Sequence, residues 1–474
     1  MLVPAATVSA QTAPAGVVSL DSCRNMALRH NKNIKVAEEN IIGAGYLHDA
    51  AKAAYLPGLD FAGMYMYNQH KINILSADAK LPTMSFNPVT QTYDYNLLTN
   101  PATGAPITDP ATGTPIPTEV ALLPKDAMSF DVHNVVAGAF VLTQPVYMGG
   151  AIRAMNDITK YAEQLAVTMR NSAVQDVVYA VDEAYWLVVS LVQKQRLAES
   201  YCNLVDSLLY NVNAMYEEGV ATKSDVLTVQ VKANEAQVAK TKVDNGVSLA
   251  RMALDQVCGL PINTVFTLED EELKQRPAEP TALDYNMESV YARRQDLASL
   301  RTGIKIFEGQ EKLAKSEMLP KVGIMAMWSF SNPNMIDGFE KRFGGGFSVG
   351  ATVQIPLWHW GGNYNKLRAA RSATKAQRLA LEDAETMVDL QVNQARFKFQ
   401  ESQKTLSMTR SNLDKADENL RDAEYGFKEG VLTSDDVTAA QTAWLQAHSE
   451  YIDAEIGVQL CRVYLSKTLG LLNY

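Results

Sequence analysis

Between Gly150 and Glu217 residues that are apolar save for Thr159 recur in alternating steps of three and four, from Ile152, Met155, Thr159 and Ala162 through Met169 and Val177 to Leu187 and Leu191. That spacing is the seam of coiled-coil packing. A second stripe, Val174, Val178, Val181, Tyr185, Val188 and Val192, occupies another face, so the helix needs neighbours on two sides. Uninterrupted, it would run roughly 100 Å at 1.5 Å per residue. Gly219 then reads as a left-handed terminator, and Thr222 with Asp225 has the spacing of a capping box that starts a returning helix over about 225–258. Gly430, Thr433 and Asp436 repeat the device before a helix over about 436–469. None of the 18 prolines falls in 146–260 or 357–474, as long helices require. The pattern predicts two antiparallel helical hairpins, 150–258 and 363–470.

Between the helices the period drops to two. Val322, Ile324, Ala326, Trp328 and Phe330 alternate with small or polar residues, and 347–355 does likewise. Strands at about 59–68, with Phe61, Tyr65 and Tyr67, and at about 131–144, with Phe140, are their counterparts, which gives two hairpins and four strands. A band of rings with a small or polar reverse side is what a lipid-facing barrel strand needs; the edge of a soluble sandwich is the plainer alternative. Four strands cannot close a barrel, and an open edge is not tolerated in hydrocarbon. Two chains would give eight strands and three would give twelve, and only the larger ring leaves an aqueous lumen.

The chain repeats itself. Gln144-Pro145 with Gly149-Gly150 returns as Ile355-Pro356 with Gly361-Gly362, and Glu218-Gly219-Val220 as Glu429-Gly430-Val431, both 211 residues on. Leu56-Pro57 returns as Leu319-Pro320 after 263, so 52 extra residues lie inside the first hairpin. There Asn100-Pro101-Ala102-Thr103-Gly104 is echoed by Asp109-Pro110-Ala111-Thr112-Gly113. A stretch so rich in Pro, Thr and Gly supports no core, and 71–128 reads as an exposed low-complexity loop. The expected layout is a flexible N-terminus over 1–18, a first repeat over 19–261, a linker over 262–283 and a second repeat over 284–474.

Composition narrows the function. No apolar run reaches 18 residues, so a membrane span has to be strand. The net charge of −10 speaks against a nucleic-acid partner. Val8-Ser9-Ala10-Gln11 resembles the end of a secretory signal. Cys23, Cys202, Cys258 and Cys461 are scattered and read as small buried hydrophobes, with lipid on Cys23 the minor alternative. No metal-binding histidine pair, phosphate loop or nucleophile elbow occurs, so neither enzyme, cofactor nor metal is expected. His359 between Trp358 and Trp360 fits an aromatic cluster at a strand-to-helix junction better than a metal platform.

The order of helix, hairpin, Gln-Pro or Ile-Pro before Gly-Gly, long helix, Tyr-x-x-Gly turn with Asp-Val after it, and closing Gly-Leu resembles the TolC-like outer-membrane efflux proteins, from Leu20 to Leu471. The resemblance implies a homotrimer with a twelve-stranded barrel among outer-membrane lipid and an α-helical barrel in the periplasm. A periplasmic adaptor (membrane fusion) protein and, through it, an inner-membrane pump are the implied partners. The implied docking turns are Gly219, Val220 and Ala221 with Gly430, Val431 and Leu432; glycines that only end helices are the alternative. The implied periplasmic gate comprises Asp225, Asp435 and Asp436. Here the sequence departs from the family, since Ala439 replaces the second acidic ring and Leu432 stands where arginine is frequent. Capping-box acids are the alternative for Asp225 and Asp436. For the whole chain, the competing reading is a periplasmic or secreted coiled-coil scaffold without a pore.

Overall fold

The computed structural model of the chain describes residues 16–272 and 285–472. The chain forms two compact units, one of residues up to Ala51, Arg153–Lys315 and Gly361 onward, the other of Lys52–Ile152 and Ser316–Trp360. Helices α1 (Leu20–His30), α2 (Lys32–Ala53), α3 (Ala151–Glu217) and α4 (Lys223–Cys258) are followed in the same order by α5 (Met287–Arg293), α6 (Gln295–Ser316), α7 (Gly362–Lys428) and α8 (Ser434–Thr468). Duplication is visible in their lengths: α3 and α7 each have 67 residues, α2 and α6 each 22. Their starts are 211 and 263 residues apart, the two offsets of the sequence repeat.

In the helical unit, α3 buries its second stripe. Val178, Val181, Tyr185 and Val188 pack with Leu254 and Cys258 of α4 and with Cys23 and Ala27 of α1. Fully burying such side chains stabilises by about 1.5–3 kcal/mol each. The coiled-coil seam is only partly covered: Val177 joins that core and Ala184 and Leu191 pack against it, whereas Met155, Met169 and Leu187 remain 42, 59 and 47% exposed within the single chain. Among the polar groups buried in this unit, Asp182 is wholly enclosed, and Arg24 grips both of its oxygens. A buried carboxylate without such a partner would be strongly destabilising.

Part of the expected linker belongs to this core. Thr267–Leu268 pairs in parallel with Val17–Val18. Arg251 reaches the Phe266 carbonyl and Glu271 at 2.7 Å each, and the Tyr185 hydroxyl donates to Asp270 at 2.8 Å. Residues 262–272 therefore lie fixed against α3 and α4, and Val17 and Val18 are a paired strand rather than a flexible end. The signal-like Val8-Ser9-Ala10-Gln11 and residues 273–283 of the linker lie outside the described residues.

The second unit holds a four-stranded antiparallel sheet. Its long strands, β1 (Gly58–Tyr67), β2 (Asn134–Met148), β3 (Lys321–Asn332) and β4 (Gly344–Gln354), lie in the order β4-β3-β2-β1. β2 extends past the expected end at Gln144 despite Pro145. The reason is a bulge: Val322 faces Tyr147, but the next residue, Gly323, faces Pro145, and a proline without an N–H is tolerated where pairing is interrupted. Where β2 meets the next helix, Gly149 has φ +64, and a Cβ there would lie 2.7 Å from the Ser316 carbonyl oxygen.

Residues 71–128 correct the sequence reading. The segment is exposed, as expected, but it is a paired β arm rather than a plain loop. Ile72–Asn73 pairs with Ser129–Phe130, Ala79–Pro82 with Val120–Leu123, and Met84–Asn87 with Thr92–Tyr95. Its three tips have one design. The side-chain oxygens of Asn87, Asn100 and Asp109 accept from the N–H of Val89, Ala102 and Ala111 at 3.0, 3.0 and 2.9 Å. Left-handed Gln91, Gly104 and Gly113 close them, with φ of 55, 67 and 68°. Asx-Pro turns satisfy backbone groups locally, so the arm holds its form without a hydrophobic core.

Candidate functional site

Each helical hairpin ends in a turn built by backbone chemistry. Gly219 has φ +76 and Gly430 φ +74, and neither has an atom within 4 Å of where a Cβ would be, so conformation alone demands glycine. Val220 and Ala221 donate to the Met215 carbonyl at 2.8 and 3.1 Å; Val431 and Leu432 donate to that of Gly426 at 2.9 and 3.1 Å. Both capping boxes form. The N–H of Asp225 donates to Thr222 Oγ1 at 3.3 Å while its carboxylate accepts from the Thr222 N–H and hydroxyl at 2.8 Å each. Thr433 and Asp436 repeat the exchange at 3.3, 2.9 and 2.7 Å.

The expected docking residues thus divide by role. Val220 and Val431 project outward, 72 and 79% exposed. Ala221 packs on a shared core with Val212, Val229, Phe427 and Val437, which draws on all four long helices and places both turns at one packed end. Leu432 folds back: a Cβ on Gly426 would sit 2.8 Å from Leu432 Cδ1, so Gly426, which the sequence reading passed over, makes room for it.

Of the expected gate acids, Asp225 and Asp436 are capping-box residues, the first half-buried and the second exposed, and Asp435 stands exposed in the first turn of α8 outside the box. The Thr222 N–H and then its hydroxyl hold the Asp225 carboxyl below its ordinary range. For Asp436 the Thr433 hydroxyl and then its N–H do the same. Both stay ionised at neutral pH. Within the chain, Asp225 is tied to its own cap.

The expected aromatic residues meet on one face of the sheet. Phe61 lies opposite Phe140, Phe140 opposite Trp328 and Trp328 opposite Phe347, so a row of rings crosses all four strands. Ring centroids are 4.8 Å apart for Phe61 and Phe140 and 6.0 Å for Phe140 and Trp328. Tyr65 and Tyr67 continue this face along β1, and Phe330 covers Gly138, where a Cβ would lie 2.6 Å from the ring. Phe347 was not singled out from the sequence, although its alternation with Val349 was the available signal. One position along, Ala62, Ala139, Ser329 and Gly346 form the matching row on the reverse face. The outer edges of β1 and β4 are unpaired within the sheet.

Trp358 and Trp360 stand exposed with ring centroids 5.8 Å apart, edge to face, around His359. Among the described residues no group of three or more His, Cys, Asp or Glu is placed to hold a metal. No described helix is long and apolar enough to cross a membrane. Cys23 is buried inside α1, a position that does not suit a lipid-bearing chain end.

With this geometry the comparisons agree. The model of a family described as outer membrane efflux protein matches residues 128–260 and 286–471. The alkaline protease secretion protein AprF of Pseudomonas aeruginosa is 23% identical over 244 residues, 51% of this chain and 50% of that protein. The chain therefore matches about half the length of this curated relative. The crystal structure of the outer membrane protein VceC of Vibrio cholerae has a TM-score of 0.69 at 14% identity, over 95% of this chain and 96% of that one. The outer membrane channel CmeC of Campylobacter jejuni gives 0.71 at 12% identity, over 96 and 86%. At these identities the likeness shows the fold: a helical part and a β part built from tandem repeats.

Proposed function

The chain belongs to the outer membrane efflux protein family, a family of channels rather than enzymes, and from this premise we propose that three copies form a conduit across the outer membrane. It receives cargo from a periplasmic adaptor and an inner-membrane pump and releases it outside the cell. One observation carries the proposal: a four-stranded sheet with a row of rings on one face, a row of small residues on the other, and both edges open. Unpaired edges cannot face hydrocarbon, and four strands cannot close on themselves. Three such sheets make twelve strands, with Phe61, Tyr65, Tyr67, Phe140, Trp328, Phe330 and Phe347 toward lipid and the small row toward water. The exposed positions of the α3 seam support the same assembly, because Met155, Met169 and Leu187 then find partners on sister chains. A scaffold without a pore leaves the two-faced sheet without a purpose.

The turns receive the adaptor through Val220 and Val431, shaped by Gly219 and Gly430 and backed by Ala221 and Leu432. Asp435 and Asp436, repeated threefold around the axis with Asp225 on the neighbouring hairpin, narrow the periplasmic mouth with negative charge. Docking that favours a dilated mouth shifts the population toward the open channel. The chain supplies the conduit for efflux or secretion, and the pump chooses the cargo.

Recordings in planar bilayers test this. Stepwise conductance blocked by multivalent cations is expected, with block relieved in the Asp435→Ala/Asp436→Ala variant. Absence of conductance contradicts the channel; unchanged block contradicts the acidic ring alone.

A further inference from the structure

Two thiols separated by 235 residues meet in the helical core. Cys23 lies in the first turns of α1 and Cys258 is the last residue of α4; both are wholly buried. The Cys258 thiol donates to the Cys23 carbonyl oxygen at 3.7 Å. Its hydrogen bond with the Cys23 thiol, and then burial, push its ionisation above the ordinary thiol range. The surrounding backbone fixes this approach. Gly259, with φ +73, packs so closely on α1 that a Cβ would lie 2.7 Å from the His30 carbonyl carbon. Asn31 donates to the Val257 carbonyl at 2.9 Å. The other two cysteines lie elsewhere, Cys202 with the core near the hairpin turns and Cys461 against the core of α5, α7 and α8.

We propose that Cys23 and Cys258 are joined in the mature protein as a disulfide that staples the N-terminal helix to the end of the first helical hairpin. The inference rests on the periplasmic place of the helical unit, since oxidising compartments form and keep such bonds and the cytosol does not. Each thiol loses a proton, a sulfur–sulfur bond forms, and two electrons pass to the disulfide of a thiol oxidoreductase, which becomes a dithiol. Attack requires a thiolate. A buried thiol that resists ionisation is a poor nucleophile, so oxidation belongs to folding, before α1 covers the end of α4. Once closed, the bond is out of reach of external reductants. It restrains a loop of more than two hundred residues in the unfolded chain, where cross-links restrict the ensemble most.

The test counts thiols in protein from the outer-membrane fraction, isolated without reductant, denatured and alkylated with a maleimide, then mapped by peptide mass. Two labels are expected, on Cys202 and Cys461, rising to four after reduction, with a reducible peptide linking Cys23 to Cys258. The Cys23→Ser variant should carry three labels before and after reduction. Four labels on the unreduced native protein, or a bond between any other pair, would overturn the proposal. Fractionation establishes location before thiols are counted, so a misplaced protein and a reduced pair give different results.

Discussion

Thr222 and Thr433 each hold the start of a returning helix by trading hydrogen bonds with an aspartate three residues on. Replacing either threonine by alanine should lower unfolding stability by about 1 kcal/mol, the ordinary cost of a lost N-cap, measured by denaturant titration. The same exchange sets the response to acid. Asp225 and Asp436 have carboxyls held below their ordinary 3.8, so their contribution is fully present above pH 3.8 and is lost as pH falls through the lower folded value. Multivalent-cation block is accordingly expected to persist at pH 5 and to fade only below about pH 4; block that titrates near pH 6 would assign it to other groups. These residues were legible in the sequence because a cap is local: a glycine, a threonine and an acid at fixed spacing are sufficient. The meeting of Cys23 and Cys258 was not legible, because nothing within a few residues of either announces a partner 235 positions away. Phe347 was missed for a related reason, since its place in the row of rings depends on register across three other strands.

Along α3 one apolar stripe is buried within the chain while the other is open at Met155, Met169 and Leu187, and substitutions should separate the two. Leu254→Ala, opposite the buried stripe, is expected to cost about 2–5 kcal/mol in a fully enclosed site, visible as a lower denaturation midpoint. Leu187→Ser, on the open seam, should leave the fold of the single chain intact and weaken association, read by native electrophoresis. The sheet offers a sharper contrast between neighbours on opposite faces. Phe347→Lys places a charge on the ring face and should cost about 2–4 kcal/mol at the bilayer midplane, abolishing membrane assembly, whereas Ser348→Lys should assemble and change conductance. The helices and strands were readable because periods of 3.6 and 2 survive over many residues. The arm over 71–128 was misread because its composition excludes a core, and a core was taken as the condition for order. Its Asx-Pro tips need none, and the third tip, Asn87-Pro88-Val89-Thr90-Gln91, was hidden by glutamine in the left-handed place that glycine fills in the other two.

The duplication gives each chain two helical hairpins but leaves surfaces unpartnered: the sheet has two free edges, and Met155, Met169 and Leu187 of the α3 seam stay exposed. The proposed assembly of sister chains resolves both deficits, which folding of one chain does not. Native mass spectrometry of the detergent-extracted protein, followed by stepwise dissociation, measures this directly. A particle of three 52.0-kDa chains is expected, with the Phe347→Lys variant failing to form it. A stable monomer that still conducts ions in a bilayer would contradict a wall shared among chains.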